Sequence, residues 1–272
     1  MLRDPIGIFD SGVGGLSVLR EIRAILPAED LLYFADQAHV PYGPRALSEV
    51  RTFSQEITRF LIGQGSKMIV VACNTASAAA LKPLRATFPD TPFVGMEPAV
   101  KPAAAASPNR IIGVIATEAT FQGELFASVV ERFAQGVRVL TQTCPGLVEM
   151  IERGDLDGPE LRSLLRRRLG PLQQEGIEAL VLGCTHYPFV TKAIQAVLGP
   201  QIPIIDPAPA VARQVARVLA RQDKAAPSGS LGRSSYLTSG DPGKLEAALR
   251  RLLGEVAKVG VAGWVGGSLQ LR

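Results

Sequence analysis

Histidine, cysteine and tryptophan are scarce in this chain: two, three and one of them stand among 272 residues. Three cysteines far apart in so long a chain make no disulfide framework. With His39 and His186 the only histidines, a structural zinc site is excluded. Long apolar runs are missing too. None reaches the roughly 18–20 uninterrupted residues of a membrane helix, so no membrane span is expected. Met1-Leu2-Arg3-Asp4-Pro5 leads straight into a strand pattern with no signal peptide. The expected location is cytoplasmic, and the cysteines are expected as thiols. A strong charge bias is also lacking. The net charge of +4 is spread out, and its densest run, Arg162 to Arg168, falls in a helical pattern. That run reads as a solvated helix face. No aromatic stacking motif accompanies it, so no nucleic-acid partner is expected.

What is present is a globular composition, 47% hydrophobic and 20% charged, which excludes a disordered chain. Apolar strand runs alternate with helical patterns. Ile6–Phe9 precedes Leu16–Leu26, Leu31–Phe34 precedes Leu47–Leu61, and Met68–Ala72 precedes Ala76–Phe88. Ile111–Ile115 then precedes Phe121–Phe133, Ala179–Leu182 precedes Pro188–Leu198, and Ile202–Ile205 precedes Val211–Leu219. Such alternation predicts an α/β fold with mainly parallel sheets, because parallel strands need helical crossovers. The strands are continuous apolar runs, as sheets covered on both faces require.

The chain also resembles itself. Ile6-Gly-Ile-Phe-Asp-Ser reads like Ile112-Gly-Val-Ile-Ala-Thr, 106 residues on. Ile69-Val-Val-Ala-Cys-Asn-Thr75 reads like Leu180-Val-Leu-Gly-Cys-Thr-His186, 111 residues on. Two similar offsets predict a duplicated α/β unit. The Pro- and Ala-rich stretch from Pro92 to Pro108 is the best boundary, with a second crossing near Pro203–Pro209. The expected domains are residues 1–95 plus 208–272, the C-terminal segment returning to the first half, and residues 96–207. Ser228–Ser239 reads as loop, strand and loop, and Leu245–Leu253 as a helix. Gly260–Gly267 is weakly patterned and reads as loosely held.

In open α/β sheets ligands bind at the carboxyl ends of the strands. The polar motifs stand there: Asp10-Ser11-Gly12, Tyr42-Gly43, Cys73-Asn74-Thr75, Thr117 with Thr120, and Cys184-Thr185-His186. Strand ends before helices aim backbone N–H groups at a ligand and make an anion site. A small anion, held by neutral Ser, Thr and Asn donors, is the expected ligand. Asp10 to Gly15 lacks the Lys-Ser/Thr ending of a phosphate loop and the spacing of a dinucleotide fingerprint. Positive-φ glycines in a tight turn account for its glycines equally well, but not for an Asp at an apolar strand end.

Cys73 and Cys184 are the informative pair. At matching ends of duplicated units, two thiols would flank one cleft, one removing a proton while the other supplies one. That is what inverting a carbon stereocentre requires. Burial raises a thiol's pKa, so nearby groups must offset it. Asp10 is placed to assist Cys73, and His186 to assist Cys184. Glu152 would orient His186 or take its proton, although an exposed helical glutamate is the plainer reading of its position. Cys144, before Pro145, reads as structural. Lys67 reads as a solvated loop lysine, and no lysine has a typical pyridoxal context.

These motifs resemble the glutamate racemases of the aspartate/glutamate racemase superfamily. FDSGVGG (Phe9 to Gly15), ADQAHVPYG (Ala35 to Gly43), ACNTASA (Ala72 to Ala78), LGCTHYPF (Leu182 to Phe189) and IIDPA (Ile204 to Ala208) match in the family's order. The resemblance implies two pseudo-symmetric α/β domains with the active site in the cleft between them. It implies a cofactor-independent racemase, a homodimer, that interconverts L- and D-glutamate and supplies D-glutamate for peptidoglycan synthesis. Cys73 would deprotonate D-glutamate and Cys184 L-glutamate, with Asp10, His186 and Glu152 as assisting acid–base groups. Ser11, Pro41, Tyr42, Gly43, Asn74, Thr75, Thr117, Thr120 and Thr185 would contact the substrate. Ala116 and Pro207 depart from the family's usual glycine and serine, away from the proton-transfer set. A racemase for aspartate or another amino acid would keep the same two thiols. An anion- or nucleotide-binding module would leave them unexplained.

Overall fold

The computed structural model describes residues 3–227, 229 and 231–272. Met1 and Leu2, the head of the segment read above as leading into the first strand, lie outside the described residues. So do Ser228 and Ser230, at the start of the loop expected before the next strand.

Strands and helices alternate as the apolar periodicity predicts. The chain opens with β1 (Ile6–Asp10), α1 (Leu16–Ile25), β2 (Leu31–Ala35), α2 (Leu47–Gly63), β3 (Met68–Val71), α3 (Asn74–Thr87) and β4 (Phe93–Gly95). It continues with α4 (Val100–Ala105), β5 (Ile111–Ala116), α5 (Glu118–Gln122), α6 (Glu124–Phe133), β6 (Arg138–Thr143), α7 (Leu147–Glu152) and α8 (Pro159–Gln174). After β7 (Ala179–Gly183) and a short 3-10 turn come α9 (Thr191–Leu198), β8 (Ile204–Ile205) and α10 (Ala208–Arg221). The chain ends with β9 (Ser234–Thr238), α11 (Pro242–Leu253), β10 (Val259–Val265) and β11 (Ser268–Leu271). Among the described residues no helix is long and apolar enough to cross a membrane.

Seven strands form one sheet in the order β11-β10-β9-β2-β1-β3-β4, and four form a second in the order β6-β5-β7-β8. Every pairing is parallel except the β10–β11 hairpin. The self-resemblance of the sequence is thus one of topology, since β2-β1-β3-β4 and β6-β5-β7-β8 repeat one order. The register repeats as well. Ile6 pairs with Met68 as Ile112 pairs with Ala179, and Ile69 pairs with Phe93 as Leu180 pairs with Ile204.

Both faces are covered along the central strands β1, β2, β3, β5 and β7, which is why these read as unbroken apolar runs. Ile6 and Ile8 pack with Leu16, Leu19 and Ile22 of α1 and with Val211 and Val215 of α10. Phe9, on the opposite face, packs with Ile57 of α2 and Ala76 and Ala80 of α3. In the smaller sheet Ile112 and Val114 meet α4 and α6, while Leu180 and Leu182 meet Leu165 and Leu169 of α8. The arginines of α8 lie on its outer side: Arg162, Arg166 and Arg167 are exposed.

Several local readings are corrected. The helix expected from Phe121 to Phe133 breaks at Gly123, where a Cβ would press on Ala78 of α3 at 2.6 Å. β6 escaped notice because, as an edge strand with no fully buried residue, it carries no continuous apolar run. β4 and α4 fill much of the Pro92–Pro108 stretch. Gly260–Gly267 is not loose. It belongs to β10 and to a hairpin turn in which Gly266 and Gly267 both take positive φ. Lys67 is no solvated lysine either. It is buried, with Nζ 2.6 Å from the buried Glu29 carboxylate, which also accepts the Ala226 N–H at 2.7 Å.

Removing one partner of a buried ion pair leaves the other charge uncompensated, at a cost of about 3–5 kcal/mol. Lys67→Ala is therefore expected to lower the urea-unfolding free energy by an amount of that order. Replacing both partners, Lys67→Met with Glu29→Leu, is expected to recover most of the loss. An unchanged unfolding midpoint in the single variant would contradict this account of the pair.

Candidate active site

A cavity of about 200 Å³ opens at the carboxyl ends of the strands and is lined from both sheets. Six loops reach it. Ser11 follows β1, Tyr42 and Gly43 follow β2, and Cys73 to Thr75 join β3 to α3. Thr117 follows β5, Cys144 follows β6, and Cys184 to His186 follow β7. Among the described residues no lysine or arginine lines the wall.

Cys73 is the N-cap residue of α3, and its Sγ accepts the Ala76 N–H at 3.5 Å. This is why α3 begins at Asn74 rather than at Ala76. Burial pushes the Cys73 thiol well above its ordinary range, and the Asp10 charge pushes the same way. The Ala76 N–H opposes that rise, while charge on Cys184 adds to it, so the two thiols feel each other. Next to Cys73, both amide atoms of the buried Asn74 lack a protein partner. A buried amide without partners is rare in native proteins, and here it stands in the cavity wall. The next residue, Thr75, belongs to a cluster of hydroxyls. Thr75 and Thr117 stand 2.8 Å apart, Thr117 and Thr120 2.8 Å, and Thr75 and Thr120 3.4 Å.

The Cys184 side is ionic. Cys184 Sγ lies 3.8 Å from His186 Nδ1, and His186 Nε2 lies 2.7 Å from Glu152 Oε1. The same Glu152 oxygen accepts the Val13 N–H at 2.7 Å. Burial alone would lower the pKa of His186, but its contacts with Cys184 and Glu152 outweigh burial and raise it well above the ordinary value. Burial likewise pushes Glu152 up, yet the His186 hydrogen bond and charge, with the Val13 N–H, hold it below the usual carboxylate range. Asp10 is fully buried. It accepts the Gly12 N–H at 2.9 Å and the Thr185 hydroxyl at 3.1 Å. Burial raises its pKa, against the His186 charge and the Gly12 N–H. Tyr42 donates to Asp36 Oδ2 at 2.6 Å. Burial first and the Asp36 charge second raise its pKa far up, so it stays a neutral donor.

The structure brings the residues chosen from sequence together. Ser11, Pro41, Tyr42 and Gly43 line the cavity from one side, and Cys73, Asn74, Thr75 and Thr117 stand with them. Cys184, Thr185 and His186 complete the wall. Asp10, Glu152 and Thr120 do not line it. They stand behind it, bonded to Thr185, His186 and the threonine pair. Glu152 is not the exposed helical glutamate that its position suggested, because its carboxylate is 13% exposed.

The glycine loop is also corrected. Gly12, Gly14 and Gly15 do not take positive φ. They are small because of what lies against them. A Cβ on Gly12 would overlap the Glu152 carboxylate, one on Gly14 the His186 ring, and one on Gly15 the Asp10 side chain.

Sequence reasoning missed part of the wall: Thr143 to Gly146, Val148, Glu149 and Tyr187. Cys144, read as structural, lies on it, with its thiol pushed up to about 12 by burial. The duplication held the signal. β6 takes in the second sheet the place that β2 takes in the first, so the loop after Thr143 corresponds to the loop that carries Tyr42.

The arrangement places two thiols in unlike surroundings on one cavity, with amide and hydroxyl groups on the same wall. It can take a proton at one side of a small anion and deliver one at the other.

The His186–Glu152 pair has a definite pH signature. The share of stability carried by Glu152 is present above the ordinary carboxylate range and is lost as pH falls through its lowered pKa. The share carried by His186 is complete below about 6.5 and is lost as pH rises through its raised pKa. Glu152→Gln is expected to lower the His186 pKa in imidazole NMR titrations and to cost about 2 kcal/mol of stability near neutral pH. A His186 titration unmoved by the substitution would contradict the pairing.

Comparison with known proteins agrees with this geometry. The Asp/Glu/Hydantoin racemase family model matches residues 6–215. The glutamate racemase of Pseudomonas paraeruginosa is 52% identical over 256 residues, covering 94% of this chain and 96% of that protein. Among solved structures, glutamate racemase isoform RacE1 from Bacillus anthracis superposes with a TM-score of 0.89 at 32% identity, covering 98% of this chain and 100% of that one. Glutamate racemase from Francisella tularensis, in complex with D-glutamate, gives 0.85 at 28% identity, covering 97% and 98%. The chain belongs to the Asp/Glu racemase family and is an amino-acid racemase.

Proposed function

We propose that the chain interconverts L- and D-glutamate by proton transfer at the α-carbon between two thiols. The observation that carries this reading is the placement of Cys73 and Cys184 on one cavity wall, at corresponding strand ends of the repeated topology. The D-glutamate bound by the Francisella tularensis relative supports the substrate.

From L-glutamate, Cys184 takes the α-proton as a thiolate and becomes a thiol, beside the His186 imidazolium that Glu152 holds in place. The carbanion is a strong base, so its charge must fall on donors already in place. The N–H groups at the start of α3, the Asn74 amide and the hydroxyls of Thr75, Thr117 and Thr185 serve that purpose. Cys73, held as a thiol by burial and by Asp10, gives its proton to the opposite face. From D-glutamate the roles reverse: Cys73 takes the proton, Asp10 assists, and Cys184 delivers. Ser11, Pro41, Tyr42, Gly43 and Thr120 shape or support the substrate contacts.

The repeated strand order supports two domains, residues 1–95 with 208–272 and residues 96–207, with the cavity in the cleft between them. A homodimer in the cytoplasm, feeding D-glutamate to peptidoglycan synthesis, completes the proposal.

Incubation with L-glutamate in D₂O, followed by proton NMR and chiral analysis, tests it. Deuterium at the α-carbon and accumulating D-glutamate are expected. Cys73→Ser and Cys184→Ser are each expected to slow racemisation by at least about a hundredfold, the scale of a lost acid–base group. Exchange with aspartate but not glutamate would move the substrate. Exchange with no amino acid, in folded and reduced protein, would sink the reading.

A further inference from the structure

The family match ends at residue 215, yet the chain beyond it reaches back to the cavity loops. Asp36, the residue after β2, is fully buried, and its two carboxylate oxygens serve different parts of the molecule. Oδ2 accepts the Tyr42 hydroxyl at 2.6 Å and faces His39 Nδ1 at 2.9 Å, both on the loop after β2. Oδ1 accepts the Ser239 hydroxyl at 2.7 Å, from the end of β9, and the Trp264 indole N–H at 2.8 Å, from β10. The rings reinforce the joint. His39 stacks on Phe53 with centroids 3.9 Å apart, and Trp264 meets His39 edge-on at 5.0 Å. A second thread runs beside it. Thr238 donates to Gln37 Oε1 at 3.0 Å, and Gln37 Nε2 reaches Glu152 Oε2 at 3.4 Å.

A carboxylate accepting on both oxygens has its plane fixed by all its donors together. Tyr42 lines the cavity, its ring tilts against Phe53, and its hydroxyl is bonded to this carboxylate. The hydroxyl end of the ring is therefore anchored where the Asp36 carboxylate points, and Ser239 and Trp264 are the donors on that carboxylate's other oxygen. We infer that the C-terminal strands complete the active site from behind, with Trp264 and Ser239 acting through Asp36 as positioning residues for Tyr42. Neither touches the cavity: the wall includes Tyr42 but neither Asp36, Ser239 nor Trp264.

This rests on the racemisation proposed above for its kinetic test, and a spectroscopic test is independent of it. Trp264→Phe keeps a ring against His39 and Phe53 but removes the N–H. It is expected to raise KM for glutamate by about tenfold, the effect of losing one hydrogen bond to a charged group, while kcat moves less and the urea-unfolding midpoint stays close to the parent's. Combined with Tyr42→Phe, it is expected to add little, because the group it positions has already lost its anchor. Effects that multiply independently, or a Trp264→Phe enzyme with parental KM, would overturn the inference. If Trp264→Phe folds poorly, Ser239→Ala removes the other donor on the same oxygen and is put through the same cycle. Trp264 is the chain's one tryptophan, so its fluorescence reads the joint without any turnover. Tyr42→Phe is expected to shift the Trp264 emission, and an unchanged spectrum would overturn the inference even if the chain acted on another amino acid.

Discussion

One carboxylate holds the two halves of the site together. Glu152, at the end of α7, accepts the Val13 N–H from the glycine loop after β1 and bonds to His186 after β7. The first contact fixes where the larger sheet's loop lies against the smaller sheet's helix. The second fixes the imidazole beside Cys184. The glycines between Asp10 and Leu16 make this approach possible, since a methyl group at Gly12 or Gly14 would fill the space that Glu152 and His186 occupy. The Cys184 environment and the shape of the cavity both follow from that contact.

Desolvation is the second governing term. Asp10, Cys73 and Tyr42 are buried, and burial is the first cause raising each of their pKa values. The Glu152–His186 pair goes against burial, because Glu152 takes its counter-charge from His186, and His186 takes its own from Cys184 and Glu152. The two thiols thus meet unlike fields. One is held by a buried carboxylate and a helix N-terminus, the other by an imidazole with a raised pKa. On the mechanism proposed above a proton moves in both directions, and two unlike settings give each direction its own base and its own acid.

Much of the architecture was legible because its signals are local. The apolar runs of β1, β3, β5 and β7 are buried on both faces, and their polar ends stand where parallel strands stop. The elements that escaped are those whose stability comes from elsewhere. β6 is a half-exposed edge, and β10 is held by pairing with β9 and by a tryptophan bonded to a distant carboxylate. In the site, Cys73 and Cys184 were legible from the repeat. Lys67 and Asp36 were not, since nothing near them in sequence shows that a partner from another part of the chain takes them out of water. The glycine loop was legible as a turn and misread in its cause, because close approach to another element leaves no trace in local sequence.

The central claim is that two different groups handle the proton on opposite faces of one carbon. The direct test is the time course of optical activity when L-glutamate is racemised to completion in D₂O. Two separate thiols give the product a solvent deuteron while the remaining substrate keeps its proton. The deuterated product then reverts more slowly, and the signal is expected to pass through zero to the opposite sign before decaying back. The same overshoot is expected from D-glutamate. A monotonic fall to zero, with the original proton retained in the product, would mean that one group serves both faces and would contradict the account.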